Sequence, residues 1–159
     1  MARYPGVAMA GADLSHALLD EARLERADLL GARLQHASLL GANLSGADLR
    51  ETHLHTARLQ RAVYDRHTRW PAGFDPRRCG ALGPGARLSG VNLSGAYLNV
   101  VDLSGADLSG ADLSLALLIR VRLYGADLTD AILTSTAMMG TLYDEHTRWP
   151  SGMKPPPSA

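Results

Sequence analysis

The chain of 159 residues contains one cysteine, one phenylalanine and one lysine. The lone Cys79 excludes an internal disulfide, so an oxidising compartment is not required. Aromatic residues are 5% of the sequence, which excludes a core built on large rings. The only lysine, Lys154, lies outside the repeats, so the repeats contain no lysine for a phosphate-binding loop. No H-E-x-x-H zinc-binding sequence occurs either. These absences predict a protein that is not an enzyme and carries no cofactor.

An excess of charge and a long apolar run are also missing. Sixteen basic and sixteen acidic residues give a net charge of zero, so the chain has no excess of positive charge that would attract nucleic acid or an anionic membrane. No segment approaches the ~20 apolar residues of a membrane-spanning helix. The sequence therefore predicts a soluble cytoplasmic protein that binds neither nucleic acid nor membrane.

A five-residue repeat fills most of the chain. Every fifth residue from Leu14 to Leu59 is leucine, Tyr64 continues the series, and a small residue, usually alanine, stands two positions before each. Thirteen such pentads cover residues 2–66, and twelve more cover 86–145. A period of five fits neither a helix, which advances about 500° in five residues, nor a straight strand, whose faces alternate every two. Only a chain that bends once per repeat buries every leucine.

The pattern A-(D/N)-L-x-x, as in Ala47-Asp48-Leu49 and Ala106-Asp107-Leu108, resembles the pentapeptide-repeat family. That resemblance implies an all-β fold, a right-handed quadrilateral β-helix with four pentads per coil. The leucine and the small residue two positions before it would then point inward, and the other three residues outward. The repeats that carry the resemblance fill most of the chain.

Each array ends in nearly the same non-repeat segment. Residues 64–76 (YDRHTRWPAGFDP) parallel residues 143–155 (YDEHTRWPSGMKP), so that Tyr64 corresponds to Tyr143. A grouping of His, Thr, Arg and Trp suggests catalysis, but similar segments in the family are breaks between arrays. We therefore interpret both copies as caps over an open coil end, formed by one Trp and one further apolar side chain in each: Trp70, Phe74, Trp149 and Met153.

Four segments follow from these boundaries. Residues 1–66 are the first array, 67–85 a cap and connector, 86–145 the second array, and 146–159 a C-terminal cap with a proline-rich, disordered tail. Within the connector, Asp75-Pro76-Arg77-Arg78-Cys79-Gly80 predicts a single helical turn. The connector is one residue short of four pentads, close to one coil, which favours one continuous rod over the alternative of two separately capped rods.

Residues 20 apart should stack on one outer face. One face of the second array then presents an apolar set: Tyr97, Leu117, Ile119 and Met139. An exposed apolar patch is typical of a contact surface, although single apolar residues are normal on any surface. This face predicts a protein partner or a homodimer, because two copies of one apolar patch can pack against each other across a two-fold axis.

Histidines stack in the same way on the first array. His16 and His36 are 20 apart, and His53 and His55 follow on the next coil. Adjacent imidazoles suit a metal ion such as zinc or nickel, but stacking of like residues by duplication explains the ladder equally well. The spacing His53-x-His55 is unlike known metal motifs.

The leading interpretation is a non-catalytic protein-interaction scaffold. The family resemblance implies one alternative, because some members resemble duplex DNA in shape and negative charge and bind DNA gyrase. Those relatives are typically acidic and dimeric. This chain departs from them in its zero net charge, its proline-rich end and the arginines on its outer faces: Arg3, Arg23, Arg33, Arg50, Arg58 and Arg122.

Overall fold

The computed structural model describes residues 6–157, which leaves the first predicted pentad, Arg3 and the last two residues of the tail outside it. The chain divides into two compact units, Met1–Leu82 and Gly83–Ala159. The only helix among the described residues is a 3-10 turn at Pro76–Arg78. That part of the chain contains no helix long and apolar enough to cross a membrane.

Both units are built from parallel coils of four pentads each. In the first unit, Ala8 pairs with Asp28 and Asp28 with Asp48; in the second, Tyr97 pairs with Leu117 and Leu117 with Ala137. Most of the hydrogen bonds between coils follow one rule, in which a leucine N–H donates to the next coil and the preceding residue's N–H donates to the previous one. Thus Leu14 donates to the Arg33 oxygen at 2.8 Å, and Arg33 donates to the Ala12 oxygen at 2.9 Å.

The β structure consists of isolated bridges, not continuous strands. Each side of a coil is only one pentad long and ends in a turn, so one residue per side has the full bridging pattern. The turns are closed by a bond from each small residue's N–H to the preceding leucine oxygen, as from Ala17 to Leu14 at 3.0 Å.

The predicted inward leucines are confirmed. Leu29, Leu49 and Leu108 have no exposed surface, and the alanines between Leu29 and Leu49 (Ala32, Ala37, Ala42 and Ala47) are equally buried. Leu14 and Leu19, in the first described coil, are only partly buried against this core. Each fully buried leucine contributes ~1.5–3 kcal/mol, and each coil rests on its neighbours alone.

The last residue of most pentads forms a corner with a left-handed backbone. Gly105, with φ of 65°, shows why glycine is frequent there, since it has no Cβ to clash. Eleven described corners carry other residues, and these include Val100 and Leu115 in the second unit.

One short helical turn lies between the two arrays. Asp75 caps the 3-10 turn Pro76–Arg78 by accepting from the Arg77 N–H at 3.1 Å. The ladder also continues through residues that flank this turn, because Arg69 pairs with Asp48 and Leu82 pairs with Val63. The cap and connector therefore contribute bridges to the first unit's coil stack.

Candidate interaction surface

The predicted apolar face of the second unit lies on one side of three successive coils. Tyr97, Leu117 and Ala137 form one column through their bridges. Ile119 and Met139 lie in a parallel column with Asn99, whose side-chain oxygen accepts from the Ile119 N–H at 3.1 Å. Tyr97 is 80% exposed and Met139 78%, whereas Leu117 and Ile119 are half-buried. The face thus has two exposed apolar side chains around a partly covered centre.

The sequence analysis missed further apolar residues around this face. Val100 ends the side that carries Tyr97, and Leu115 immediately precedes the side that carries Leu117; they are 72% and 64% exposed. Ile132 and Tyr124, on the two neighbouring sides, are also exposed. An apolar residue at the glycine-rich corner position is the signal that would have identified Val100 and Leu115.

Backbone strain coincides with this exposure. Val100 has a φ of 66° and Leu115 a φ of 61°. A left-handed backbone costs an L-residue roughly 1–2 kcal/mol, and it is least tolerated by β-branched side chains. Neither side chain is buried, so packing within the second unit does not offset this conformational cost. Packing therefore does not explain why apolar residues occupy these two corners.

The histidine ladder of the first unit contains one stacked pair. The rings of His16 and His36 lie 5.0 Å apart between centroids with an interplanar angle of 20°. The next corner in this column is Thr56, whose hydroxyl accepts from the His36 N–H at 3.0 Å, while His53 and His55 are exposed elsewhere on the side. Within residues 6–157, no group of three or more His, Cys, Asp or Glu residues is placed to hold a metal ion.

The residues predicted to cap the first unit pack as an aromatic cluster. Trp70 stacks on Phe74 at 5.2 Å and meets the Tyr64 ring edge-on at 5.6 Å. Both Trp70 and Phe74 pack against the leucine core. Burial raises the pKa of Tyr64 to about 12, and burial likewise raises the pKa of the nearby Cys79 thiol. Cys79 is therefore a protonated thiol at neutral pH and a poor nucleophile.

The second unit repeats this arrangement with fewer rings. Trp149 meets Tyr143 edge-on at 5.2 Å, and Met153, at the position of Phe74, is half-buried. The Tyr143 hydroxyl donates to the Pro156 oxygen at 2.6 Å, which holds the proline-rich segment beside the last coil.

Side chains of the duplicated motif replace backbone in the ladder, a role the sequence analysis did not assign. The Asp65 side chain accepts from the Gly46 N–H at 2.9 Å, and Asp144 accepts from the Gly125 N–H at 2.8 Å. The Thr68 hydroxyl donates to the Leu44 oxygen at 3.0 Å. The histidines of the two copies are exposed and take no part in these bonds. Asp65, Thr68 and Asp144 thus have structural roles in the ladder.

An open groove of about 830 Å³ lies on the outer surface of the first unit. Glu25 in its wall accepts from Arg23 at 3.0 Å and from the Asn43 side-chain amide at 3.2 Å. Gly46 contributes to the lining because it has no side chain. The groove lies on the outer surface of the coils, because the leucine columns fill their interior.

Arginines lie beside aspartates along several outer columns. Arg33 lies 3.8 Å from Asp13, Arg69 3.6 Å from Asp48, and Arg148 3.5 Å from Asp127. The Arg50 guanidinium also donates to Asp48 and lowers the pKa of that carboxyl to about 2. The negative charges on these columns are therefore accompanied by arginine.

Several proteins of known structure are similar to this chain. HetL, a pentapeptide repeat protein involved in heterocyst differentiation regulation in Nostoc sp. strain PCC 7120, is 30% identical over 91% of this chain and 67% of its own, with a TM-score of 0.37. Rfr23, a pentapeptide repeat protein from Cyanothece 51142, is 24% identical over 93% and 88%, with a TM-score of 0.42. QnrB1, a plasmid-mediated fluoroquinolone resistance protein, is 22% identical over 91% and 81%, with a TM-score of 0.39.

No curated protein sequence matches the chain. The family model for pentapeptide repeats, in contrast, matches it in eight copies over residues 9–39, 27–63 and 96–134, more than half of its length. The matched segments contain the leucine columns that form the core of both units. With this sequence match and a coil of four pentads, the chain belongs to the pentapeptide repeat family.

Proposed function

We propose that the protein is a non-catalytic protein-interaction scaffold, built as a right-handed four-sided β-helix, whose contact surface is the apolar face of its second unit. One observation carries the proposal. Among residues 6–157, six of the seven exposed large hydrophobic side chains belong to the second unit, and Leu18 alone belongs to the first. Exposed apolar residues concentrated in this way are typical of binding surfaces.

The residues at two corners strengthen the assignment. Val100 and Leu115 adopt a left-handed backbone that glycine would adopt without cost, yet both present apolar side chains to solvent. Nine other described corners carry a non-glycine residue in the same conformation, and none of them presents an aliphatic side chain, so exposure of an apolar group distinguishes these two. Contact with a partner would give these side chains the burial that the unit itself does not.

The occupant we favour is a second copy of the chain. The stacked bridges make the side that carries Leu117 a regular surface, and its edges at Tyr97 and Met139 project apolar groups on both sides of the centre. One such patch covers itself across a two-fold axis, whereas a different partner would need a complementary patch of its own.

Protection or regulation of DNA gyrase stays a prediction of the family resemblance. A mimic of duplex DNA needs rows of uncompensated negative charge. The outer columns instead set Arg33, Arg122 and Arg148 within 4 Å of aspartates on neighbouring coils. This pairing favours the scaffold over the DNA mimic. Metal binding by the histidine ladder and a cytoplasmic location also stay predictions.

The test is the oligomeric state, measured by light scattering. We expect a dimeric wild type, and a monomer for Leu117→Arg and for the more exposed Met139→Arg. Leu18→Arg is the matched control, because Leu18 occupies the same pentad position as Leu117 but lies on the first unit, where it is 86% exposed. A monomeric wild type would remove the homodimer, and dimeric Leu117→Arg and Met139→Arg variants would place the interface elsewhere. A thermal unfolding curve for each variant verifies folding.

A further inference from the structure

The apolar face of the second unit is a regular grid. Three coils contribute one row each, and the bridges hold residues 20 apart in one column. The middle row runs from the corner at Leu115 through Leu117 and Ile119 to the corner at Arg120. Arg120 is the only charged residue in the three rows, and within residues 6–157 no carboxylate forms an ion pair with its guanidinium. One uncompensated positive charge therefore lies at the edge of an otherwise uncharged surface.

Symmetry limits how two copies of this surface can face each other. Two sheets pack face to face about 10 Å apart, and aligned packing leaves two directions for a two-fold axis between them. If the axis runs along the coil stack, the stacks are parallel and each row faces the same row of the partner copy with its ends exchanged. If the axis runs along the rows, the stacks are antiparallel and each residue of the middle row faces itself.

The charge of Arg120 distinguishes these two arrangements. Antiparallel stacks place Arg120 of one copy opposite Arg120 of the other, and like charges that face each other across an interface are unfavourable. Parallel stacks place Arg120 opposite Leu115 of the partner copy. The aliphatic part of the arginine then covers Leu115, which is 64% exposed, while the guanidinium reaches water at the edge of the face. Parallel stacks are therefore favoured.

Side-chain size is compatible with parallel stacks. Val100, at the end of the first row, then faces Gly95, which has no side chain at the opposite corner. Met139, which is 78% exposed, faces the small side chain of Ala137. Antiparallel stacks also place Val100 opposite a glycine, Gly140, so size alone does not distinguish the two arrangements.

Asn99 provides a second distinction. Its side-chain oxygen accepts from the Ile119 N–H at 3.1 Å, so its amide nitrogen is the group that needs an acceptor across the interface. Parallel stacks place Asn99 opposite Tyr97 of the partner copy, whose hydroxyl can accept. Antiparallel stacks place it opposite Met139, whose thioether is a weak acceptor. A donor buried without an acceptor lowers the stability of an interface.

We propose that the dimer is parallel: two copies pack through this face about a two-fold axis that runs along the coil stack, and Arg120 excludes the antiparallel alternative. The inference rests on the homodimer proposed above and adds the orientation of the partner copy. Each coil of the second unit then meets the same coil of the partner copy. Arg120 is a specificity-determining residue, which selects the orientation without supplying the apolar contact.

A carboxylate opposite Arg120 tests the orientation. Leu115→Glu introduces it, and glutamate already occupies equivalent left-handed corners at Glu21 and Glu51 of the first unit. In a parallel dimer each new carboxylate faces Arg120 of the partner copy, whereas within one copy the two positions lie at opposite ends of the row. Dissociation constants are measured by light scattering over a dilution series for wild type, Leu115→Glu, Arg120→Gln and the double variant.

We expect Arg120→Gln to raise the dissociation constant about tenfold in the Leu115→Glu background, where two symmetric ion pairs are lost, and by less than about threefold in the wild-type background. This difference should disappear in about 1 M salt, which screens exposed ion pairs. Arg87→Gln is the matched control, because Arg87 is exposed on another side of the same unit and should leave both constants unchanged.

The other outcomes overturn the proposal. If Arg120→Gln strengthens the dimer, or changes both backgrounds by the same factor, the stacks are not parallel but the homodimer stands. A folded Leu115→Glu protein that is monomeric at low salt also contradicts parallel stacks, because the facing arginines should hold its carboxylates. A monomeric wild type removes the homodimer and the orientation together. Thermal unfolding of each variant verifies that it is folded.

Discussion

The Thr147 hydroxyl donates to the backbone oxygen of Leu123, one coil below, at 2.8 Å. Thr136 and Thr141 make the same kind of bond to Leu113 and Leu118 at 2.8 and 3.0 Å. The last coil of the second unit thus uses threonine at the inward small position, where the coils below use mainly alanine. These hydroxyls tie the final coil to the coil beneath it.

We expect Thr147→Val, which preserves shape but removes the hydroxyl, to lower the free energy of unfolding by about 1–2 kcal/mol. The loss includes the bond to Leu123 and the bond that the Asp144 N–H donates to the Thr147 oxygen at 3.1 Å. Denaturant unfolding measures it. Thr129→Val, on the exposed surface of the same unit, is the control and should stay within about 0.5 kcal/mol of wild type. Equal values for the two variants would contradict the role of the hydroxyl.

The cap interpretation predicts that Trp149→Ala destabilises the second unit. Loss of the edge-on contact with Tyr143 and of the apolar cover should cost about 1–3 kcal/mol, less than for a fully buried tryptophan, because Trp149 is half-buried. Thermal unfolding detects the change. Tyr124→Ala removes an exposed aromatic of the same unit and serves as control. If Trp149→Ala unfolds like wild type, the motif is not a cap.

Relief of backbone strain predicts that Val100→Gly stabilises the monomer by about 1 kcal/mol. The variant should also weaken the proposed dimer, because it deletes an exposed apolar side chain beside the apolar face. Ser135→Gly is the matched control: Ser135 has a φ of 56° but no apolar side chain, so it should gain stability and keep its association. Unfolding measurements report the change in stability, and light scattering reports the change in association. A Val100→Gly monomer that is less stable than the wild-type monomer would disprove the strain argument.

Acid should destabilise the first unit through Asp48. The Arg50 hydrogen bond holds the folded pKa of Asp48 at about 2, below the ~3.9 of an unfolded chain. The folded state therefore binds fewer protons than the unfolded state between these values. The stabilisation is complete above pH ~4 and is lost as the pH falls towards 2.

Arg50→Gln tests this assignment. Without the guanidinium, the pKa of Asp48 should rise towards its ordinary value, and the acid-induced loss of stability attributable to Asp48 should shrink. Unfolding free energies from pH 2 to 6 report the change. An identical pH profile for wild type and Arg50→Gln would show that this pair does not contribute to acid sensitivity.

The fold was more predictable than the contact surface, for a physical reason. A period of five requires a chain that bends once per repeat to bury every leucine, and the family resemblance then implied that Leu29 and Leu108 point inward. The exposure of Leu117 could not, because it depends on how far side chains on adjacent coils cover it. Val100 was missed because corner positions were interpreted as turns, and a turn was not expected to carry a strained apolar residue.

The parallel bridges also bear on how the protein folds. Asp28 meets Asp48, and Tyr97 meets Leu117, at a separation of four pentads that is repeated with little change along both units. Each new coil needs only the one before it, so the entropic cost of closing a loop is nearly the same at every step. The first coil to form bears this cost without a neighbour to pair with. Folding should therefore start slowly at one place and then extend rapidly, coil by coil, as in a zipper.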